Sequence, residues 1–442
     1  MMSRLSVVAL ALAWFLHSVA CSQPVGGPSL CGNGVIDPGE ECDDANPVEM
    51  DGCSCQCGIV PILVTGSAAR VADLSMTVAG EIVVAWWEEG ADSALGRLRW
   101  RAYGRSGLEE RAWESPAALN PGLVRIAMRE DGDVVLAWGS SEDTVSTLYI
   151  SGATATPMDI QGPNIAHDIA FLPDGRFSVA WQENNFGCNF LTGVGILSPA
   201  GGLLTEVILD ETACIQDGGP QLAAGPAGEL LVLYVRFAGE TGFAELVAQR
   251  LGSTGEVGAE TVVDAVDADE IHRPSDPGLT YYLGGVYISL HLQLLPGGEA
   301  LALAHRIEAG EEYLGRVWLV DAVGAQIAID SVFRPPTDEP FSAALSGAAV
   351  RDDGRYWLAW RDRDLQAPML QQFATNGEPL GAPLGARTLP GVQQSAYMAV
   401  AGAPDGRFAL LWCEWPASEG DVFTCYIQRF DRYGRALGSL PW

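Results

Sequence analysis

Polar side chains recur along this chain at a fixed offset, eight residues after each of a series of glycines: Glu88, Ser140, Glu183, Arg236, Arg306, Asp362 and Glu414. Carboxylates and arginines gathered on one surface are chemically suited to gripping a sugar or a peptide. Two carboxylates flanking a glycosidic bond can also cleave it. A polar insertion over 264–283 adds Asp267, Asp269, Glu270, His272, Arg273 and Asp276, with Tyr281 and Tyr282 at its end.

Other catalytic classes find little support. All 25 basic residues are arginine, so Schiff-base and P-loop lysine chemistry is excluded. The 56 acidic residues bring the formal charge to -31, which opposes binding to a phosphate backbone, and no nucleic-acid partner is expected. His17 lies in the leader, leaving His167, His272, His291 and His305 as candidate general bases, and none stands in a G-x-S-x-G nucleophile motif. His167, next to Asp168 in an apolar stretch, reads as structural, and His272 as surface decoration.

The elements that position these residues begin with an export signal. Arg4 precedes an apolar run from Leu5 to Leu16, and Ser18-Val19-Ala20 leads directly into Cys21. That run is shorter than the roughly 20 residues of a membrane span. Small residues before a cysteine resemble a bacterial lipobox, although Ser18 stands where leucine is typical. Two fates stay open: lipidation of Cys21, with the chain held at the outer membrane or cell surface by its lipid alone, or simple secretion. An exported chain with ten cysteines points to disulfides rather than thiol chemistry.

Residues 31–58 hold too few apolar side chains to fold by burial and must be stapled. Cys31, Cys42, Cys53 and Cys57, set among Gly-Asn-Gly, Pro-Gly-Glu and Asp-Gly turns, suit two bridges closing short loops. The motif CGNGxxxPGEECDD followed by DGC resembles the myxobacterial cysteine-rich repeat, a short disulfide module of exported, surface-associated bacterial proteins. The resemblance covers less than a tenth of the chain. Ala45 stands where glycine is common, and the additional Cys55 leaves the bridge assignment open. Asp43, Asp44, Asn46 and Asp51, with Glu49, could supply oxygen ligands to calcium, or serve as turn formers on a solvated surface; no other cofactor is expected.

From residue 59 onward the chain repeats. Glycines at 80, 132, 175, 228, 298, 354 and 406 are each followed, six residues on, by Trp86, Trp138, Trp181, Tyr234, Ala304, Trp360 and Trp412. Asp-Gly at four of the turns predicts hairpins of the primed type. The strands that follow, such as Val134-Val-Leu-Ala-Trp138, are apolar on both faces and must lie between packed layers. A second hairpin turns near Gly107, Gly201, Gly255, Gly324, Gly377 and Gly434. Four strands per unit of 43 to 70 residues fit a propeller blade. The last unit runs out where its fourth strand should begin, and an unassigned strand, Ile59-Val-Pro-Ile-Leu-Val64, precedes the first; it could close the ring.

The expected architecture is all-β: a leader over 1–20, a linker over 21–30, the cysteine-rich module over 31–58 and a seven-bladed propeller over 59–442. Cys413 with Cys425 across one hairpin, and Cys188 with Cys214 on one rim, are expected bridges. The residues eight positions after the turn glycines fall on the face opposite the Asp-Gly turns. The sialidase type of propeller carries repeated Ser-x-Asp-x-Gly-x-x-Trp turns, and this chain has no such box. The preferred expectation is a non-enzymatic binding or scaffold module for a protein or polysaccharide of the cell envelope. The alternative is a glycan-acting hydrolase using carboxylates of the same face.

Overall fold

Every regular element described in the computed structural model is a β-strand. The described residues are Cys42, 51–54, 59–89, 96–104, 109–115, 123–139, 144–152, 154–161, 165–185, 189–213, 219–238, 243–267, 287–295, 298–308, 312–320, 331–333, 345–362, 367–386, 394–415 and 423–437. Five separate four-stranded antiparallel sheets form blades two to six. Blade two, for example, runs Val124–Met128, Val134–Gly139, Thr144–Ser151, Thr154–Gln161. The inner strands of the other four are Ile165–Phe171, Gln221–Ala224, Tyr287–Leu294 and Leu345–Val350. Each inner strand lies beside that of the next blade, and the series returns to its start.

Blades seven and one share a single nine-stranded sheet because one strand, Ile59–Met76, belongs to both. Its first half pairs with Phe423–Phe430 of blade seven, with Ile62 opposite Ile427 and Thr65 opposite Cys425. Its second half is the inner strand of blade one, with Asp73 opposite Ala85 and Leu74 opposite Val84. Ala436–Leu437 adds to the same edge of Phe423–Phe430, beside Arg429 and Phe430. The N-terminal strand therefore completes blade seven, as the sequence predicts, and Ala436–Leu437 extends the same edge, which the sequence reading does not anticipate. What differs is continuity: between Val64 and Val71 only Gly66 signals a turn, so the strand runs on through register shifts instead of breaking. Asp51–Cys53 pairs with the outer side of the shared strand, and Cys42 is bridged to Cys53.

All seven turn glycines have positive φ, between 78° at Gly354 and 91° at Gly406. The turns are not the two-residue primed type. In blade two the Gly132 N–H donates to the Arg129 carbonyl, and the Arg129 N–H donates to the Asp133 carbonyl, so the loop holds three residues and glycine takes the left-handed bulge position. The aspartate before the glycine secures the loop from its side chain, since the Asp131, Asp174, Asp353 and Asp405 carboxylates each accept the N–H two residues on. In the second hairpins Gly201, Gly255, Gly377 and Gly434 also have positive φ. Blade two turns at Gly152, a position the repeat pattern does not flag; Gly107 and Gly324 lie outside the described residues.

The residues six positions after the turn glycines form the core between blades, all at 9% exposure or less. Ala304, the one non-aromatic, shares its cluster with the fully buried Trp318 of the next strand. Cys413 and Cys425 stand directly opposite each other in register and are bridged, within the cluster that holds Ile62 and Val64. The expected partners Cys188 and Cys214, together with Cys21, Cys31, Cys55 and Cys57, lie outside the described residues.

Candidate functional site

The ring expected on the loop face separates into local partnerships. Glu88 takes an ion pair from Arg99 of the adjacent strand at 2.7 Å. Arg236 bridges Glu245 at 2.7 Å and Glu260 at 2.6 Å, all within blade four. Glu414 is buried and accepts the Trp412 indole N–H at 2.8 Å, and burial raises its carboxyl above the usual range. Glu183 is half-buried at the end of its strand. Arg306 and Asp362 fall on second strands, opposite Leu314 and Ala367 respectively, and their side chains are outside the described set. Ser140, Asp43, Asp44, Asn46 and residues 268–283 of the polar insertion also lie outside it, whereas residues 264–267 belong to the strand Val257–Asp267 and not to a loop. Asp51 sits on the strand that pairs with Ile62.

A different set converges. Seven residues before each turn glycine stand Asp73, Arg125, Asp168, Gln221, His291, Gly347 and Ala399. Each is on an inner strand, in register with the residue five positions after its own glycine: Ala85, Ala137, Ala180, Leu233, Leu303, Ala359 and Leu411. Equal register puts all seven at one level around the channel, seven residues ahead of the turn glycines. Five are polar and occupy consecutive blades; the last two are small.

These side chains bind one inner strand to the next. An inner strand has a sheet neighbour on one side only, so half of its N–H groups face the channel wall and need another acceptor. Asp73 Oδ2 accepts the Ile126 N–H at 2.9 Å, and Ser75 Oγ accepts that of Met128 at 3.2 Å. Asp168 repeats the arrangement two blades on, taking the Leu222 N–H at 2.7 Å through Oδ2 and the Ile169 N–H at 2.8 Å through Oδ1. Between them, Arg125 Nε donates to the His167 carbonyl at 2.5 Å. Asp168 thus joins two inner strands through their backbone N–H groups.

The electrostatics exceed what capping requires. Burial pushes the Asp168 carboxyl up to about 7, against the lowering effect of the Leu222 and Ile169 N–H groups and of Arg125, and the Asp73 charge adds to the rise. Burial also raises Asp73, with Arg125 opposing it. Both side chains keep some solvent contact, as groups on a narrow channel do, while protein surrounds them on other sides. His167 is held down to about 3 by burial and then by Arg125. Its Nε2 has no hydrogen-bond partner among the described residues, and its ring is so close to Gly219 that a Cβ there would lie 1.7 Å from Nδ1.

The two groups bend the stability profile in opposite directions. The native state holds the Asp168 proton up to about pH 7 while the unfolded chain releases it near 3.8, so stability falls as pH rises through that window. His167 stays neutral in the native state down to about pH 3 while the unfolded chain takes up its proton near 6.5, so stability falls as pH drops from 6.5 to 3. Asp168→Asn is expected to raise the urea midpoint at pH 8 relative to pH 5, compared with the parent protein. An unchanged pH 8 minus pH 5 difference would refute the raised carboxyl.

The spacing that marks this set, seven residues before the turn glycine, is present in the sequence. It falls on the strand that enters each turn, whereas the loop-face residues fall on the strand that leaves it.

No protein-family model matches the chain. Among solved structures, a Dyadobacter fermentans protein of unknown function is similar at 11% identity, over 81% of this chain and 94% of that one, with a TM-score of 0.44. The Pyrococcus horikoshii acylaminoacyl peptidase is similar at 10% identity over 84% of this chain, with a TM-score of 0.48; the match spans 52% of the peptidase. A Penicillium chrysogenum α-L-arabinanase complexed with arabinobiose is similar at 11% identity, over 71% of this chain and 94% of that one, with a TM-score of 0.45.

Proposed function

We propose that this propeller is an exported cell-envelope protein, carried by a lipid on Cys21 or secreted, that binds a protein or polysaccharide through its loop face without catalysing a reaction. The observation that supports this reading is the dispersal of loop-face charge. Glu88 and Arg236 are satisfied within their own blades, and Glu414 by a neighbouring indole, so among the described residues no two of these carboxylates converge on a cleft. The bridges Cys42–Cys53 and Cys413–Cys425 agree with an oxidising compartment.

A glycan-acting hydrolase is the second reading, and one observation favours it: Asp73 and Asp168 lie at one level of the channel with both carboxyls raised by burial, the state a general acid needs. A pull-down from envelope extract with the chain from Ser22 onward separates the two. Recovery of an intact partner, protein or glycan, is expected. Recovery of glycan with shortened chains would replace the binding reading with the hydrolase.

A further inference from the structure

We propose that the channel at the level of Arg125 is a binding site for a sugar carboxylate, a uronic acid residue of an envelope polysaccharide. The inference deepens the binding reading and rests on it.

Arg125 is the centre of the site. Its Nε is committed to the His167 carbonyl, which fixes the plane of the guanidinium, while its two Nη groups make no ion pair among the described residues. A planar fork with both terminal nitrogens available matches a carboxylate through two parallel hydrogen bonds. Asp73 on the preceding inner strand and Asp168 on the following one flank it, each spending Oδ2 on the next strand's N–H. Below about pH 7 the Asp168 carboxyl keeps its proton and can donate to a ligand hydroxyl, and it then leaves the arginine charge uncompensated from that side. Gln221 and His291 continue the polar arc, which ends at Gly347, packed against Val400 of the next inner strand, and at Ala399. None of the seven residues at this level is Phe, Tyr, Trp or a large aliphatic residue, so the ring suits a hydroxyl-rich acid better than an apolar peptide side chain. The net charge of -31 does not forbid an anion here, because beyond about 10 Å exposed charge is largely screened.

The groups acting on Asp168 are Asp73 and Arg125 from the preceding inner strands, and the Leu222 N–H from the next, with His167 beside it on its own strand. Ionising Asp168 places negative charge beside the ligand, so affinity falls as pH rises through about 7.

The test is calorimetric titration of the full chain with trigalacturonate at pH 5.5 and 8.0, with neutral maltotriose and N-acetyl-alanyl-alanine in parallel. Trigalacturonate is expected to bind at pH 5.5 and about tenfold or more weakly to Arg125→Gln, which keeps a donor for the His167 carbonyl. Near-UV circular dichroism verifies its packing, and Arg125→Lys provides a second substitution that retains the charge but lacks the fork. Asp168→Asn is expected to bind at pH 8.0 as the parent does at 5.5. Equal affinity in folded Arg125→Gln, equal binding of maltotriose, or preference for the dipeptide each overturns the site. Failure of trigalacturonate alongside a repeatable partner in the pull-down sinks the site and spares the binding reading; failure of both sinks both.

Discussion

Replacing Trp181 with alanine is expected to destabilise the protein by about 3–5 kcal/mol, the cost of emptying a buried aromatic site. Trp181 is 1% exposed, in the cluster that joins blades two and three through Val135, Ile160 and Phe177. Directly across the sheet stands Gly193, and the indole covers it so closely that a Cβ there would lie 2.3 Å from the ring. Gly193→Ala therefore forces a shift of the indole and is expected to cost about 1–3 kcal/mol by overpacking. In Trp181→Ala the same methyl enters vacated space, so the double variant should be more stable than the sum of the two losses. Urea unfolding followed by circular dichroism gives all three values. Strict additivity would mean that the indole does not lie over Gly193.

The strand shared by blades seven and one carries the second large effect. Deleting residues 1–65 removes Ile62 and Val64 from the core, at roughly 1.5–3 kcal/mol each. It also uncovers the edge of Phe423–Phe430 beside a buried disulfide, and an open edge recruits other chains. The expected product unfolds at a much lower urea concentration and elutes as larger species in size-exclusion chromatography. Deleting residues 1–50 leaves the strand in place and is expected to keep both the urea midpoint and the association state of the full chain. If the two truncations behave alike, pairing of this strand does not close the ring.

Much of the propeller is legible because its signals are local. A left-handed conformation at a hairpin bulge is open to glycine at little cost, so Gly80 through Gly406 mark the turns without any knowledge of their surroundings. Spacing then dictates that Trp86, Trp138, Trp181, Trp360 and Trp412 share one side of their strands, and an aromatic repeated on one side is a core. The Cys413–Cys425 bridge is visible for the same reason: twelve residues around one hairpin leave little choice of register.

The channel was hidden for the opposite reason. Asp73 meets Ile126 53 positions along, and Asp168 meets Leu222 54 positions along, contacts that exist only once separate blades stand side by side. The loop-face carboxylates misled in the same way, since the adjacent strand of its own hairpin offers Glu88 the diagonal Arg99 before any ring could use it. The blade repeat, its turns and its core can be read from the residue order, because each follows from backbone conformation and side-chain alternation within one unit. Which charges meet and which carboxyls are raised emerges only in the assembled ring, because burial and the field of Arg125 depend on how seven distant inner strands share one axis.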